Sequence, residues 1–241
     1  MPENDGTLYI VATPIGNLGD ISHRALDVLS KVGALACEDT RITLRIFQRY
    51  EIKRPKTVFS CHEHNENRVV NRIMGLLESG VSVALCTDAG VPGVSDPGYL
   101  VMSTVIANGG DVFVIPGPSA VSTALLLSGL PMNTYTFKGF SPPTQGKRAK
   151  FINMEAESSH TLVFFESPRR VGRFLSESLE ILGNRRAAVC IELTKMFEQI
   201  HRGTLEELAA QFADKTIKGE VTVVIEGLGR KARREASHAG E

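Results

Sequence analysis

The sequence predicts an α/β protein made of two α/β domains, and three observations carry that prediction. Short apolar runs rich in β-branched residues alternate with amphipathic helical patterns. Glycine- and proline-rich turns follow several of the strand-like runs. The pattern changes grain near residues 116–119, where a second series of strands and helices begins. At 241 residues the chain has the length of one large domain or two modest ones.

In the first half, residues 8–12 form an apolar run closed by Thr13-Pro14, which reads as a buried strand. Ser22 is a good N-cap for a helix over 22–31, with Ala25, Leu26, Val28 and Leu29 on one face. A second strand is expected at 34–37 and a basic helix at 42–50. A third strand at 57–61 precedes an amphipathic helix over 68–78 that Gly80 stops. A fourth strand at 81–86, a helix at 99–107 and a fifth strand at 111–115 complete the series. Strand, helix, strand at this spacing implies a largely parallel sheet covered on both faces. Residues 1–117 are therefore expected to form the N-terminal domain.

In the second half, a small-residue helix over 119–128 is followed by strand-like runs at 135–140, 161–165, 187–193 and 221–226. Helical patterns at 147–157, 169–182 and 205–212 separate most of them. This predicts a second domain over 118–228 with a mixed sheet, and a polar, frayed tail over 229–241.

Hydrophobic residues make up 42% of the chain and charged residues 22%, which excludes a disordered tail, a collagen or a disulfide miniprotein. No window approaches 18 uninterrupted apolar residues, so no membrane span is expected. The acidic start MPENDGTLYI lacks a basic segment followed by an apolar one, so no secretory signal is expected. Cys37, Cys61, Cys86 and Cys190 show no paired spacing and read as reduced thiols of a cytoplasmic protein.

A net charge of zero hides an asymmetry. Residues 1–120 hold 10 Lys/Arg against 13 Asp/Glu, and residues 121–241 hold 17 against 14. Basic residues cluster at Lys147, Arg148 and Lys150, at Arg169, Arg170 and Arg173, and at Arg230, Lys231, Arg233 and Arg234. Such clusters are either solvated faces or docking points for a polyanion.

The chemistry is expected where glycine and proline follow strands, because ligands bind open α/β sheets at the carboxyl ends of their strands. Three loops fit: LYIVATPIGNLGD (8–20), VALCTDAGVPGVSDPG (83–98) and VIPGPSA (114–120). Asp88 and Asp96 in the second loop can accept hydrogen bonds from ribose hydroxyls or an ammonium group. The usual fingerprints fail. There is no G-x-G-x-x-G after the first strand. Before Gly146-Lys147, Ser141 stands where a Walker loop needs its first glycine, and Arg148 stands where it needs Ser or Thr. Cys61-His62-Glu63-His64 lacks metal-ligand spacing, so no metal is expected.

The segments ATPIGNLGD, CEDTR (37–41), TDAGVPGVSDPG, IPGPSA, FKGFSPP (137–143), FFESPRR (164–170), ELTKMFE (192–198) and GEVTVVIEG (219–227) together resemble the tetrapyrrole methylase superfamily over about residues 7–227. Within it, ATPIGNLGD, CEDTR, SDPG and ESPRR resemble the branch that methylates a cytidine 2′-oxygen in bacterial 16S rRNA. Members acting on porphyrinoids carry a G-x-G-P-G-D first loop, which this chain lacks. The resemblance implies two α/β domains of the tetrapyrrole methylase type (class III methyltransferases) with a ligand cleft between them. It also implies S-adenosylmethionine as cofactor, 16S rRNA or the small ribosomal subunit as substrate, and a homodimer. Carried over by position, it assigns Pro14, Gly16, Asp88, Ala89, Gly90, Val91, Ser119 and Ala120 to the cofactor, and Phe165, Leu193 and Thr222 to its adenine.

A ribose 2′-hydroxyl needs help to lose its proton. Glu38, Asp39, Lys195 and Glu198 are the candidate catalytic residues, and the sequence does not choose among them. Arg41, Lys147, Arg148, Lys150, Arg169 and Arg170 are the candidates for holding RNA phosphates. A corrinoid or porphyrinoid C-methyltransferase, and a non-catalytic module binding S-adenosylmethionine or RNA, are the alternatives.

Overall fold

The computed structural model describes residues 6–213 and 215–229. The N-terminal residues 1–5, the basic cluster Arg230–Arg234 and the tail beyond it lie outside the described residues. The chain divides after Ser119 into two compact units.

The first unit contains strands β1 (Leu8–Val11), β2 (Ala34–Cys37), β3 (Thr57–Ser60), β4 (Val83–Cys86) and β5 (Val112–Ile115). All pair in parallel, in the order β3-β2-β4-β1-β5. Period-two alternation serves both faces at once. Tyr9, Val11, Leu35, Cys37, Ala84 and Cys86 pack with α1 (His23–Lys31) and α2 (Thr40–Arg49). Leu8, Ile10, Ala34, Ala36, Val83 and Leu85 pack with α3 (Glu66–Glu78) and α4 (Tyr99–Ala107). With both faces covered, the strands can be apolar throughout, and β1, β2 and β4 are buried at every residue. Ser22 caps α1 as expected, accepting from the Ala25 amide at 3.1 Å. α2 starts at Thr40, two residues before the expected start, because Asp39 caps it through the Arg41 amide. A short 3₁₀ turn at Leu18–Asp20, capped by Asn17, is an addition to the expected elements.

The second unit holds a mixed sheet of β6 (Tyr135–Phe140), β7 (Thr161–Glu166), β8 (Arg186–Ile191), β9 (Gln199–Thr204) and β10 (Val221–Ile225), in the order β6-β7-β10-β8-β9. β6 and β7 are parallel, while β10 runs antiparallel to β7 and β8, and β8 antiparallel to β9. One face packs Leu162, Phe164, Val189, Ile191, Val221 and Val223 against α6 (Gln145–Asn153), α7 (Val171–Leu182) and α8 (Leu205–Phe212). The helix α5 (Ala120–Ser128) packs against β8 and β10. β9 is missing from the sequence reading because Gln-Ile-His-Arg-Gly-Thr has a single strongly apolar residue; it is an edge strand held by its pairing with β8. β8 ends at Ile191 rather than at 193 because Glu192 turns into the left-handed region, φ 53°.

Candidate active site

Strand order brings four loops of the first unit to one sheet edge. β1 lies between β4 and β5, and β2 flanks β4, so the loops after β1, β2, β4 and β5 all leave the carboxyl ends of adjacent strands. The loops after β1 and β4 are joined by a two-way backbone bond. The Thr13 amide donates to the Gly90 carbonyl at 2.8 Å, and the Gly90 amide donates to the Thr13 carbonyl at 3.1 Å. The Thr13 hydroxyl donates to the Thr87 carbonyl at 3.0 Å. Gly90 needs its φ of 81° for this geometry, a conformation that side chains disfavour. Pro14 is buried, Gly16 is exposed, and Ala89 and Val91 are half-buried on either side of Gly90. Ser119 ends the first unit and Ala120 opens α5.

Three carboxylates stand at this edge. Asp88 Oδ1 accepts from the Asp39 amide at 2.9 Å, and the Asp88 amide faces Glu38 Oε2 at 3.5 Å. Burial raises the pKa of Asp88; the Asp39 amide opposes that rise. Burial, and then the charge of Asp88, raise that of Glu38. Asp39 behaves differently: the bidentate Arg41 guanidinium and the Arg41 amide bring it down to about 2. His62, at the start of the loop after β3, bears on Glu38 electrostatically, and its Nδ1 is buried without a hydrogen-bond partner. Among the described residues, no group of three His, Cys, Asp or Glu is placed to hold a metal ion.

In the second unit, Thr222 on β10 lies directly across from Phe165 on β7. The Phe165 ring meets Phe137 edge-on at 4.8 Å. Leu193 is buried just past β8. Lys195 Nζ contacts Glu192 at 2.7 Å and Glu220 at 3.2 Å. Burial lowers the Lys195 pKa, but the hydrogen bond it donates to Glu192 and the charge of Glu220 outweigh it, and the net shift is upward. Lys195 is thus held as a cation between two carboxylates. Glu198 accepts from the Thr194 amide at 2.7 Å, so it shapes its own loop rather than pairing with Lys195.

The basic candidates separate. Lys147, Lys150 and Arg169 are exposed. Arg148 is a correction. Its side chain is 1% exposed and lies in the interior, bound to Glu177 and to the carbonyls of Pro142 and Pro143, so it is not available to a phosphate. Its place in a basic run of sequence hid that α6 turns it inward. Arg170 is half-buried and paired with Glu166 at 2.6 Å, and Arg41 is exposed but engaged by Asp39.

Residues 7–209 match the family of tetrapyrrole (corrin/porphyrin) methylases, and the chain belongs to that family. Two solved structures share its fold. One is a cobalt precorrin-4 methyltransferase of cobalamin biosynthesis, with a TM-score of 0.69 and 18% identity over 92% of this chain and 95% of the other. The second is the uroporphyrin-III-C-methyltransferase of Thermus thermophilus, with a TM-score of 0.66 and 17% identity over 97% and 98%. In sequence the chain is similar to proteins named ribosomal RNA small subunit methyltransferase I. It is 42% identical to that of Halalkalibacterium halodurans over 97% of this chain and 80% of the relative. The corresponding figures are 45% over 95% and 78% for Mesorhizobium japonicum, and 40% over 92% and 99% for Thermotoga maritima.

Proposed function

We propose that this chain is an S-adenosylmethionine-dependent methyltransferase acting on the 2′-oxygen of a cytidine in the decoding region of 16S rRNA, in the cytoplasm and as a homodimer. The observation that carries the reading is the set Glu38, Asp39 and Asp88 at the edge where the glycine-rich loops converge. The names of the relatives support RNA as the acceptor.

The residues fit the cofactor on the chemistry of the donor set. Its ammonium and sulfonium cations call for carboxylate and carbonyl oxygens. Asp88, fixed through Oδ1 by the Asp39 amide, leaves Oδ2 for a cation, and the backbone of Ala89, Gly90 and Val91 follows directly. Pro14, Gly16, Ser119 and Ala120 are the further contacts of this reading, with Phe165, Leu193 and Thr222 as its contacts to adenine. When bound, S-adenosylmethionine supplies an electrophilic methyl group on a sulfonium. Of the four candidate bases, Asp39 is held ionised by Arg41 and is too weak, Lys195 stays protonated, and Glu198 is tied to its loop. Glu38, with its raised pKa, is the residue we assign to take the 2′-hydroxyl proton. Lys147, Lys150 and Arg169 supply phosphate contacts, which position RNA without reading its sequence.

The test is transfer of labelled methyl groups to small ribosomal subunits, with the modified nucleotide mapped by mass spectrometry. The expected product is a 2′-O-methylcytidine in the decoding region. Methyl found on a base, or on a corrinoid instead of RNA, overturns the reading. Asp88→Ala should weaken cofactor binding measured by calorimetry in chelator, and Glu38→Gln should lower turnover by roughly 10²–10⁴-fold while binding persists.

A further inference from the structure

Two large apolar side chains of the second unit stand in water. Met196 is 90% exposed and Phe197 is 73% exposed, on the segment between β8 and β9. This segment is braced. Glu192 and Thr194 both hold left-handed backbone, φ 53° and 64°, a conformation that persists in such residues only where the surroundings enforce it. The enforcement is visible. Glu192 Oε1 accepts from Lys195 at 2.7 Å and from the Glu220 amide at 2.9 Å, and Glu198 closes the turn on the Thr194 amide. The fold thus holds an aromatic ring outward on a rigid support.

Beside that ring lies an open cavity of about 530 Å³ whose walls include Phe197, Gln199, His201, Phe212, Lys215 and Lys218. The polar atoms of His201 are occupied by Gln211 at 2.9 Å and Gln199 at 3.3 Å, and its ring meets Phe212 at 5.1 Å, which makes it wall. Lys215 and Lys218 are exposed, and the Lys215 ammonium lies 5.2 Å from the Phe212 ring centre. The acidic wall residue, Glu192, is covered by Lys195.

We propose that this cavity binds one nucleotide of single-stranded RNA, its base stacked on Phe197 and its phosphate at Lys215 and Lys218. The proposal rests on the reading of the chain as an RNA methyltransferase. The pairing of elements selects the occupant: an exposed, rigid aromatic face takes a base regardless of its identity, and two ammonium groups beside it take the phosphate. The volume falls in the range of small-ligand sites.

The test measures binding of the full chain to a fluorescein-labelled single-stranded oligoribonucleotide across a salt series, with S-adenosylmethionine affinity, methyl transfer to small subunits and sedimentation measured in parallel. Phe197→Ala should weaken RNA binding roughly 5- to 150-fold, and Phe197→Trp should retain it. Lys215→Gln and Lys218→Gln should each lower the slope of log affinity against log salt by about 0.7. Cofactor affinity should be unchanged in all variants, which shows them folded. Wild-type RNA affinity and salt slope in these variants, with methyl transfer intact, overturn the cavity proposal and leave the function standing. Unchanged RNA affinity with altered sedimentation of Phe197→Ala assigns the ring to a second copy of the chain and also overturns it. A wild-type chain that neither binds nor methylates RNA overturns both.

Discussion

Arg148 grips Glu177 with two prongs of its guanidinium, Nε to Oε2 and Nη2 to Oε1, each at 2.6 Å, inside the second unit. The pair joins α6 to α7, and Arg148 Nη1 also satisfies the Pro142 and Pro143 carbonyls. Removing one partner strands the other charge away from water, which costs about 3–5 kcal/mol. Arg148→Ala should lose that much unfolding free energy in chemical denaturation, and Arg148→Met with Glu177→Leu should recover most of it. An Arg148→Ala protein as stable as wild type contradicts the assignment.

Glu66 acts at a distance along the chain. Its Oε1 accepts from the amides of Gly98 and Leu100 at 3.0 Å each and of Val101 at 3.4 Å, so a side chain of α3 caps the first turn of α4. Gly98, with φ 131°, has no side chain with which to do this itself. Glu66→Ala leaves those amides unsatisfied and should cost about 1–3 kcal/mol. Because the loop that starts at Thr87 ends at Gly98, cofactor affinity should fall as well. Calorimetric unfolding and cofactor titration of one variant check both effects.

Glu38 and Asp88 make stability depend on pH in a direction opposite to most surface carboxylates. Their pKa values are raised, so the folded chain holds these protons more tightly than the unfolded chain. Their contribution is greatest below the ordinary carboxylate range and is lost as pH rises through the raised values. Glu38→Gln should therefore melt above wild type at pH 8, with the difference shrinking toward pH 4.5. A difference of the same size at both pH values rules out this linkage.

Lys195 is held as a cation by Glu192 and Glu220. Its pKa is raised, so its contribution is complete below 10.5 and fades only as pH climbs past that value. Lys195→Met should be destabilised throughout pH 6–9, and activity should show no alkaline rise traceable to this residue. Lys195→Arg should restore the melting temperature in that range.

The first unit was legible because its determinants are local. Apolar runs such as Leu8–Val11 and Ala34–Cys37 are buried on both faces and carry no competing signal. β9 was illegible because an edge strand can be polar: Gln199–Thr204 is specified by the partner it pairs with. Charge runs misled in the same way. Lys147 and Arg148 look equivalent as neighbours, yet one is exposed and the other points into the core, a distinction made by helix phase and by Glu177 far along the chain. Of the carboxylate cluster, sequence reading takes Glu38 and Asp39 as neighbouring candidate bases and Asp88 separately as a cofactor contact. Their association depends on β2 and β4 being neighbours, which follows from strand order.

The paired amides and carbonyls of Thr13 and Gly90 bear on how a ligand meets this edge. Two loops 74 to 77 positions apart in sequence are fastened before anything arrives, with the Thr13 hydroxyl holding the Thr87 carbonyl as a third tie. Free chain of that kind must be immobilised on binding, at an entropic loss that subtracts from affinity. Here folding has already taken that loss, so a small cation-bearing molecule encounters a nearly finished mould, and tight association need not require a large contact area.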